Sequence, residues 1–89
     1  MKELFSLEGR VAVVTGGSSG IGAMISRGLI QYGCRRVYDI SIHEPVKPPL
    51  KVIHIKEDIS TLEGINRAVT QIEELEDHVD ILVNNAGAS

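Results

Sequence analysis

At 89 residues with a net charge of −3, the chain has room for one small domain and none of the basic surplus of a nucleic-acid-binding surface. Hydrophobic residues make up 43% and charged residues 24%, a globular balance, and the longest apolar run, residues 11–14, falls far short of the roughly 20 residues of a bilayer span. The single cysteine, Cys34, can close no internal disulfide, and residues 1–6 hold no apolar signal core, so a soluble, cytoplasmic protein without a membrane partner is expected.

Residues 10–15, Arg-Val-Ala-Val-Val-Thr, form a β-branched run between glycines and read as a strand buried on both faces. From Gly20 to Tyr32, apolar residues at Ile21, Met24, Ile25, Leu29 and Ile30 recur at helical spacing, and Gly33 supplies a stop. A second strand is expected over residues 36–42, where Val37, Tyr38, Ile40 and Ile42 carry β-propensity around Asp39. Pro45, Pro48 and Pro49 forbid a helix over residues 43–51, so that stretch reads as an extended loop. A third strand follows at 52–55. A second helix is expected to start on a capping box of Ser60 and Glu63 and to bury the stripe Leu62, Ile65, Val69, Ile72 and Leu75. The acidic residues Glu73, Glu74, Glu76 and Asp77 read as its solvated side. A fourth strand over 80–83 ends in Asn-Asn-Ala-Gly. Strands alternating with helices predict an α/β fold, a partial Rossmann-type doubly wound parallel sheet of four strands and two helices, occupying residues 1–89 as one incomplete domain.

The sharpest signal is Thr15-Gly16-Gly17-Ser18-Ser19-Gly20-Ile21-Gly22, set between the first strand and the first helix. A glycine turn that opens a helix aims backbone amides and the positive end of the helix dipole at one point, which suits a phosphate. Gly16 permits the tight turn, Gly20 leaves room for a pyrophosphate, and Gly22 allows close packing of helix on strand. Ser18 and Ser19 add hydroxyl donors.

The spacing Thr-Gly-x-x-x-Gly-x-Gly resembles the glycine motif of the short-chain dehydrogenase/reductase family. Two further motifs of that family match in order: Asp58 just past the third strand, and Asn-Asn-Ala-Gly at residues 84–87. The resemblance covers the N-terminal part of the family's domain, and the flanking residues look most like fungal members of the 3-oxoacyl-carrier-protein-reductase type. It implies an oxidoreductase of carbonyls or alcohols with a nicotinamide dinucleotide, NADP or NAD, as cofactor. Gly16, Ser18, Ser19, Gly20, Ile21 and Gly22 would then surround its phosphates and ribose. Asp58 would accept from the adenine amino group with the Ile59 amide beside it, and Asn85, Ala86 and Gly87 would line the adenosine ribose.

The end of the second strand bears on the choice of cofactor, since an acid there suits a 2′-hydroxyl and a base a 2′-phosphate. The expected position falls at Ile40 or Ser41, and Asp39 stands one or two places early. If two, it shares a face with Ser41. Arg35 and Arg36 read as solvated residues rather than phosphate ligands. The resemblance leans to NADP, with Ser41 at the ribose.

Family catalysis uses a tyrosine with a lysine four residues later. Here Tyr32 and Tyr38 are followed at that spacing by Arg36 and Ile42, so no catalytic residue is assigned. His43, His54, His78 and Cys34 show no metal-ligand spacing. The expectation is a truncated dinucleotide-binding half with no turnover alone. The rival is a non-catalytic interaction module docking through the bare edge of the fourth strand, by self-association or with a complete relative.

Overall fold

Alternating apolar residues on β-branched strands can face two layers at once, and the chain uses them so. The computed structural model describes residues 7–16, 20–45, 47 and 49–85. Of the expected site residues, Ser18, Ser19, Ala86 and Gly87 lie outside these. The elements run β1 (Val11–Thr15), α1 (Gly20–Gln31), β2 (Arg36–Ser41), β3 (Val52–Lys56), α2 (Leu62–Glu73) and β4 (Ile81–Asn84). All pairings are parallel and the strand order is β3-β2-β1-β4. The chain therefore winds outward from β1 through β2 to β3 and returns to the other side of β1 for β4.

The period of two along β1 sets the layers. Val11 and Val13 point to one face, where Tyr38, Ile40 and Ile55 meet Ala68 and Ile72 of α2. Ala12 and Val14 point to the other, where Val37 and Cys34 meet Ile25, Leu29 and Ile30 of α1. Helices on opposite faces make the sheet doubly wound, as expected. Val11, Val14 and Val37 are sealed from water, each burial contributing about 1.5–3 kcal/mol.

The helix ends follow local chemistry. After α1, Gly33 takes φ +109°, its amide donating to the Ile30 carbonyl and that of Cys34 to Leu29 at 3.0 Å. Those two bonds satisfy the last carbonyls, and the left-handed residue is the glycine. At α2 the cap lies one residue later than expected. Thr61, not Ser60, accepts from the Gly64 amide at 3.0 Å. Ser60 is drawn instead to Asp58, donating to Oδ1 from its amide at 2.9 Å and from its hydroxyl at 2.6 Å.

The expected apolar stripe of α2 is also corrected. The helix packs on the sheet through Ala68 and Ile72, of which Ile72 belongs to the expected stripe, while Gly64, also buried, lies against the Asp58 carbonyl. Leu62, Ile65, Val69 and Leu75 are exposed. Ile65 and Val69 turn toward β4 and, with Val79 and Leu82, line an open apolar groove of about 620 Å³. Between β2 and β3 the described residues form no helix, in accord with the prolines.

At the N-terminal end of β2 the two arginines are not simply solvated. Arg35 and Arg36 (Nη1 at 3.1 Å) both pair with Glu76, which also accepts from the buried Tyr38 hydroxyl at 2.6 Å. Glu76 therefore belongs to a buried knot rather than to a solvated acidic side. Burial works to raise its carboxyl, and the Tyr38 bond and the two guanidiniums outweigh this, holding it below the ordinary glutamate range.

Candidate functional site

In an open parallel sheet, ligands bind beyond the carboxyl ends of the strands, where the winding direction reverses. Here that reversal falls between β1 and β4. Gly16 continues the β1–β2 ladder by one bond, its amide donating to the Ile40 carbonyl at 2.8 Å, and then turns away with φ +69°. The Gly16 carbonyl accepts from the Asn85 side-chain amide at 3.2 Å.

That carbonyl also explains Gly22. A Cβ there would stand 2.0 Å from the Gly16 oxygen and 2.7 Å from Asn85 Nδ2, so only glycine lets α1 start against the turn. Gly20, by contrast, has φ +57° and open space where a Cβ would be. This is the clearance expected where backbone must approach a ligand. Ile21 beside it is exposed.

Beyond the ends of β2 and β3 lies a cavity of about 410 Å³, within the range of small-ligand sites. Gly16, Ser41, Asp58 and Ile59, all singled out in the sequence, line it together with Ser60. Ile40, the other expected ribose position, also lines it, and Ile42, His43 and Glu57, which were not anticipated, complete its rim. The Asp58 carboxyl is held below its usual range, chiefly by the Ser60 hydroxyl and then by the Ser60 amide. It is thus an ionised acceptor on the cavity wall.

Asp39 does not join them. It lies two residues before Ser41, on the same side of the strand, and is fully buried under the sheet. His54 Nδ1 stands 2.9 Å from its Oδ2, and the Ser41 hydroxyl 3.3 Å from the same oxygen. Arg35 and Arg36 are at the opposite end of the sheet from the cavity, committed to Glu76.

Sequence reasoning missed Thr15 as the node that binds the motifs together. Its hydroxyl oxygen accepts from the Asn85 backbone amide at 2.9 Å and lies 3.1 Å from Asn84 Oδ1, to which it can donate. The signal was present as register: Thr15 at the end of β1 pairs directly with Asn84 at the end of β4. Among the described residues no group of His, Cys, Asp or Glu is placed to hold a metal ion. No helix among them is long and apolar enough to cross a membrane.

Comparison with known proteins agrees with this geometry. Residues 10–89 match the short chain dehydrogenase family model. A curated 3-oxoacyl-[acyl-carrier-protein] reductase of rhamnolipid biosynthesis from Pseudomonas aeruginosa is 40% identical over 96 residues, covering 100% of this chain and 38% of the relative. The solved RhlG/NADP active-site complex of the same organism superposes with a TM-score of 0.84 at 37% identity, over 100% of this chain and 39% of that one. An NADH-dependent reductase solved with NAD superposes at 0.82 with 28% identity, over 98% and 39% of the two chains. The chain belongs to the short-chain dehydrogenase/reductase family and spans little more than a third of the length of these relatives. Complexes with NADP and with NAD both occur among its structural neighbours.

Proposed function

We propose that these 89 residues form a nicotinamide-dinucleotide-binding domain, incomplete by itself, of a cytoplasmic oxidoreductase acting on a carbonyl or alcohol. The observation that carries the reading is the convergence of Gly16, Ser41, Asp58 and Ile59 on one cavity at the carboxyl ends of the strands. Bound there, the dinucleotide would supply or accept the hydride. The chain's own residues bind and orient it. Gly16, Ser18, Ser19, Gly20, Ile21 and Gly22 surround the phosphates, with the start of α1 contributing its free amides. Asp58 accepts from the adenine amino group beside the Ile59 amide, and Asn85, Ala86 and Gly87 line the ribose.

The 89 residues contain no Tyr-x-x-x-Lys pair, and the Tyr38 hydroxyl is bonded to Glu76 far from the cavity. A polypeptide of this sequence is therefore expected to bind dinucleotide weakly and to turn nothing over. Isothermal titration with NADH and NADPH tests the binding. Heat at saturation with a one-to-one stoichiometry supports it, and the absence of heat with both removes it. Sustained oxidation of either cofactor with a carbonyl compound would contradict the second expectation.

A second reading rests on a different surface. β4 pairs with β1 along one edge, and the groove beside it exposes Val69, Val79 and Leu82. On this reading the module docks through that edge onto a second copy or a complete relative. Sedimentation that shows a concentration-independent monomer, alone and with such a relative, removes it.

A further inference from the structure

Glu57, on the rim of the cavity, is tied to a second element. The β2–β3 ladder ends with Ser41 opposite Lys56, so Glu57 is the first residue that the sheet no longer holds. Helix α2 holds it instead. Arg67 Nε donates to its Oε1 at 2.9 Å and Gln71 Nε2 to its Oε2 at 3.4 Å, two donors one helical turn apart. Gln71 also donates to the Arg67 carbonyl at 3.3 Å, which keeps the two side chains in line. The Glu57 side chain is 14% exposed, and both of its carboxylate oxygens are engaged by the helix.

The next residue is Asp58, whose exposed carboxylate is divided. Oδ1 accepts from the Ser60 amide at 2.9 Å and the Ser60 hydroxyl at 2.6 Å, and Oδ2 has no hydrogen bond among the described residues. The Asp58 carbonyl accepts from the Thr61 hydroxyl at 3.2 Å and lies 1.8 Å from where a Cβ on Gly64 would fall. The segment 58–61 is therefore gripped at its far end by the start of α2 and at its near end by Glu57. A hydrogen bond weakens steeply with misalignment, so a segment free to swing about Lys56 would carry Oδ2 through positions that miss a bound base.

Resting on the dinucleotide reading above, we propose that the bridge from Glu57 to Arg67 and Gln71 positions Asp58, so that the cavity's preference for a base bearing an amino group depends on a contact made on α2. Arg67 and Gln71 line no part of the cavity and act through Glu57 as positioning residues.

Paired titrations with NADH and with reduced nicotinamide hypoxanthine dinucleotide, which has an oxygen in place of the adenine amino group, read the base contact as a ratio of affinities. The unaltered chain is expected to prefer NADH by about tenfold or more, because the hypoxanthine oxygen sets an acceptor against the ionised Asp58. Glu57→Ala should cut that preference several-fold. Glu57→Gln keeps an acceptor for Arg67 and should restore most of it. Arg67→Ala alters an exposed side chain at the other end of the bridge and should act in the same direction as Glu57→Ala. An ion pair with one exposed partner contributes little to global stability, so the variants are expected to fold. A general loosening of the fold would weaken both ligands together and leave their ratio alone. An unchanged ratio in Glu57→Ala and Arg67→Ala overturns the role of the bridge while the dinucleotide reading stands. Equal binding of the two dinucleotides by the unaltered chain overturns it as well. Binding of neither overturns both the bridge and the reading on which it rests.

Discussion

The side-chain amide of Asn85 reaches the carbonyl oxygen of Gly16 at 3.2 Å, tying the end of β4 to the turn after β1 across 69 residues of chain. The same oxygen sits where a Cβ on Gly22 would fall, so strand, turn and helix meet at one atom. The glycine motif and the Asn-Asn motif are thus two parts of one joint.

Gly22→Ala tests that joint. A methyl group 2.0 Å from the backbone oxygen of Gly16 cannot be absorbed by a side-chain rotation, so α1 must move off the turn. The expected cost is about 1–3 kcal/mol of stability, as for other overpacked positions. Dinucleotide affinity should fall with it, because the start of α1 no longer faces the phosphates. Thermal denaturation with and without NADH reads both effects, and an unaltered Tm with unaltered binding would contradict the placement of α1.

Thr15→Val keeps the shape of a buried side chain and removes its hydroxyl. Asn85 then loses the acceptor for its backbone amide, at 2.9 Å in the structure, and Asn84 loses a partner for its side-chain oxygen. Leaving partly buried groups unsatisfied is expected to destabilise the fold by about 1–3 kcal/mol. Urea denaturation measures this, and a loss below a few tenths would show that Thr15 is not the node described.

The Tyr38–Glu76 contact gives the stability a definite acid limit. The folded-state carboxyl of Glu76 lies below its ordinary value, so its contribution is complete above the unfolded glutamate pKa of about 4.3. It is lost as pH falls through the lowered folded value. Tyr38→Phe removes the 2.6 Å bond and should both lower stability at neutral pH and flatten the decline below about pH 4.3. Denaturation curves collected from pH 3 to pH 7 supply the comparison. A slope in acid identical to that of the unaltered chain would show that Glu76 does not report on this contact.

How far the sequence foretold this molecule depends on the range of the interaction concerned. β1, β2 and the lack of a helix among the described residues of the 43–51 connection are legible because β-branched runs and prolines act on their own residues. Gly33 closed α1 where expected for the same reason. The cap of α2 shifted by one residue because Ser60 and Thr61 can both cap, and only the competing attraction of Asp58 for Ser60 decides between them. The stripe of α2 was misread because periodicity identifies an apolar side without saying which part meets the sheet. Ala68 and Ile72 meet the sheet, and Ile65 and Val69 lie beside β4. Glu76 could not be paired with Arg35 and Arg36 from sequence, since about forty residues separate them and no local rule links them. Asp39 was visible as an acid near the ribose position, but its burial follows from its facing His54 across the β2–β3 register.

The most direct measurement is an amide ¹H–¹⁵N correlation map of the labelled chain titrated with NADH. The account predicts saturable shifts at Gly16, Gly20, Ser41, Ile59 and Ser60, with Ile65, Val69 and Leu82 of the apolar groove unmoved. Shifts centred on that groove, or none at saturating NADH, would contradict it.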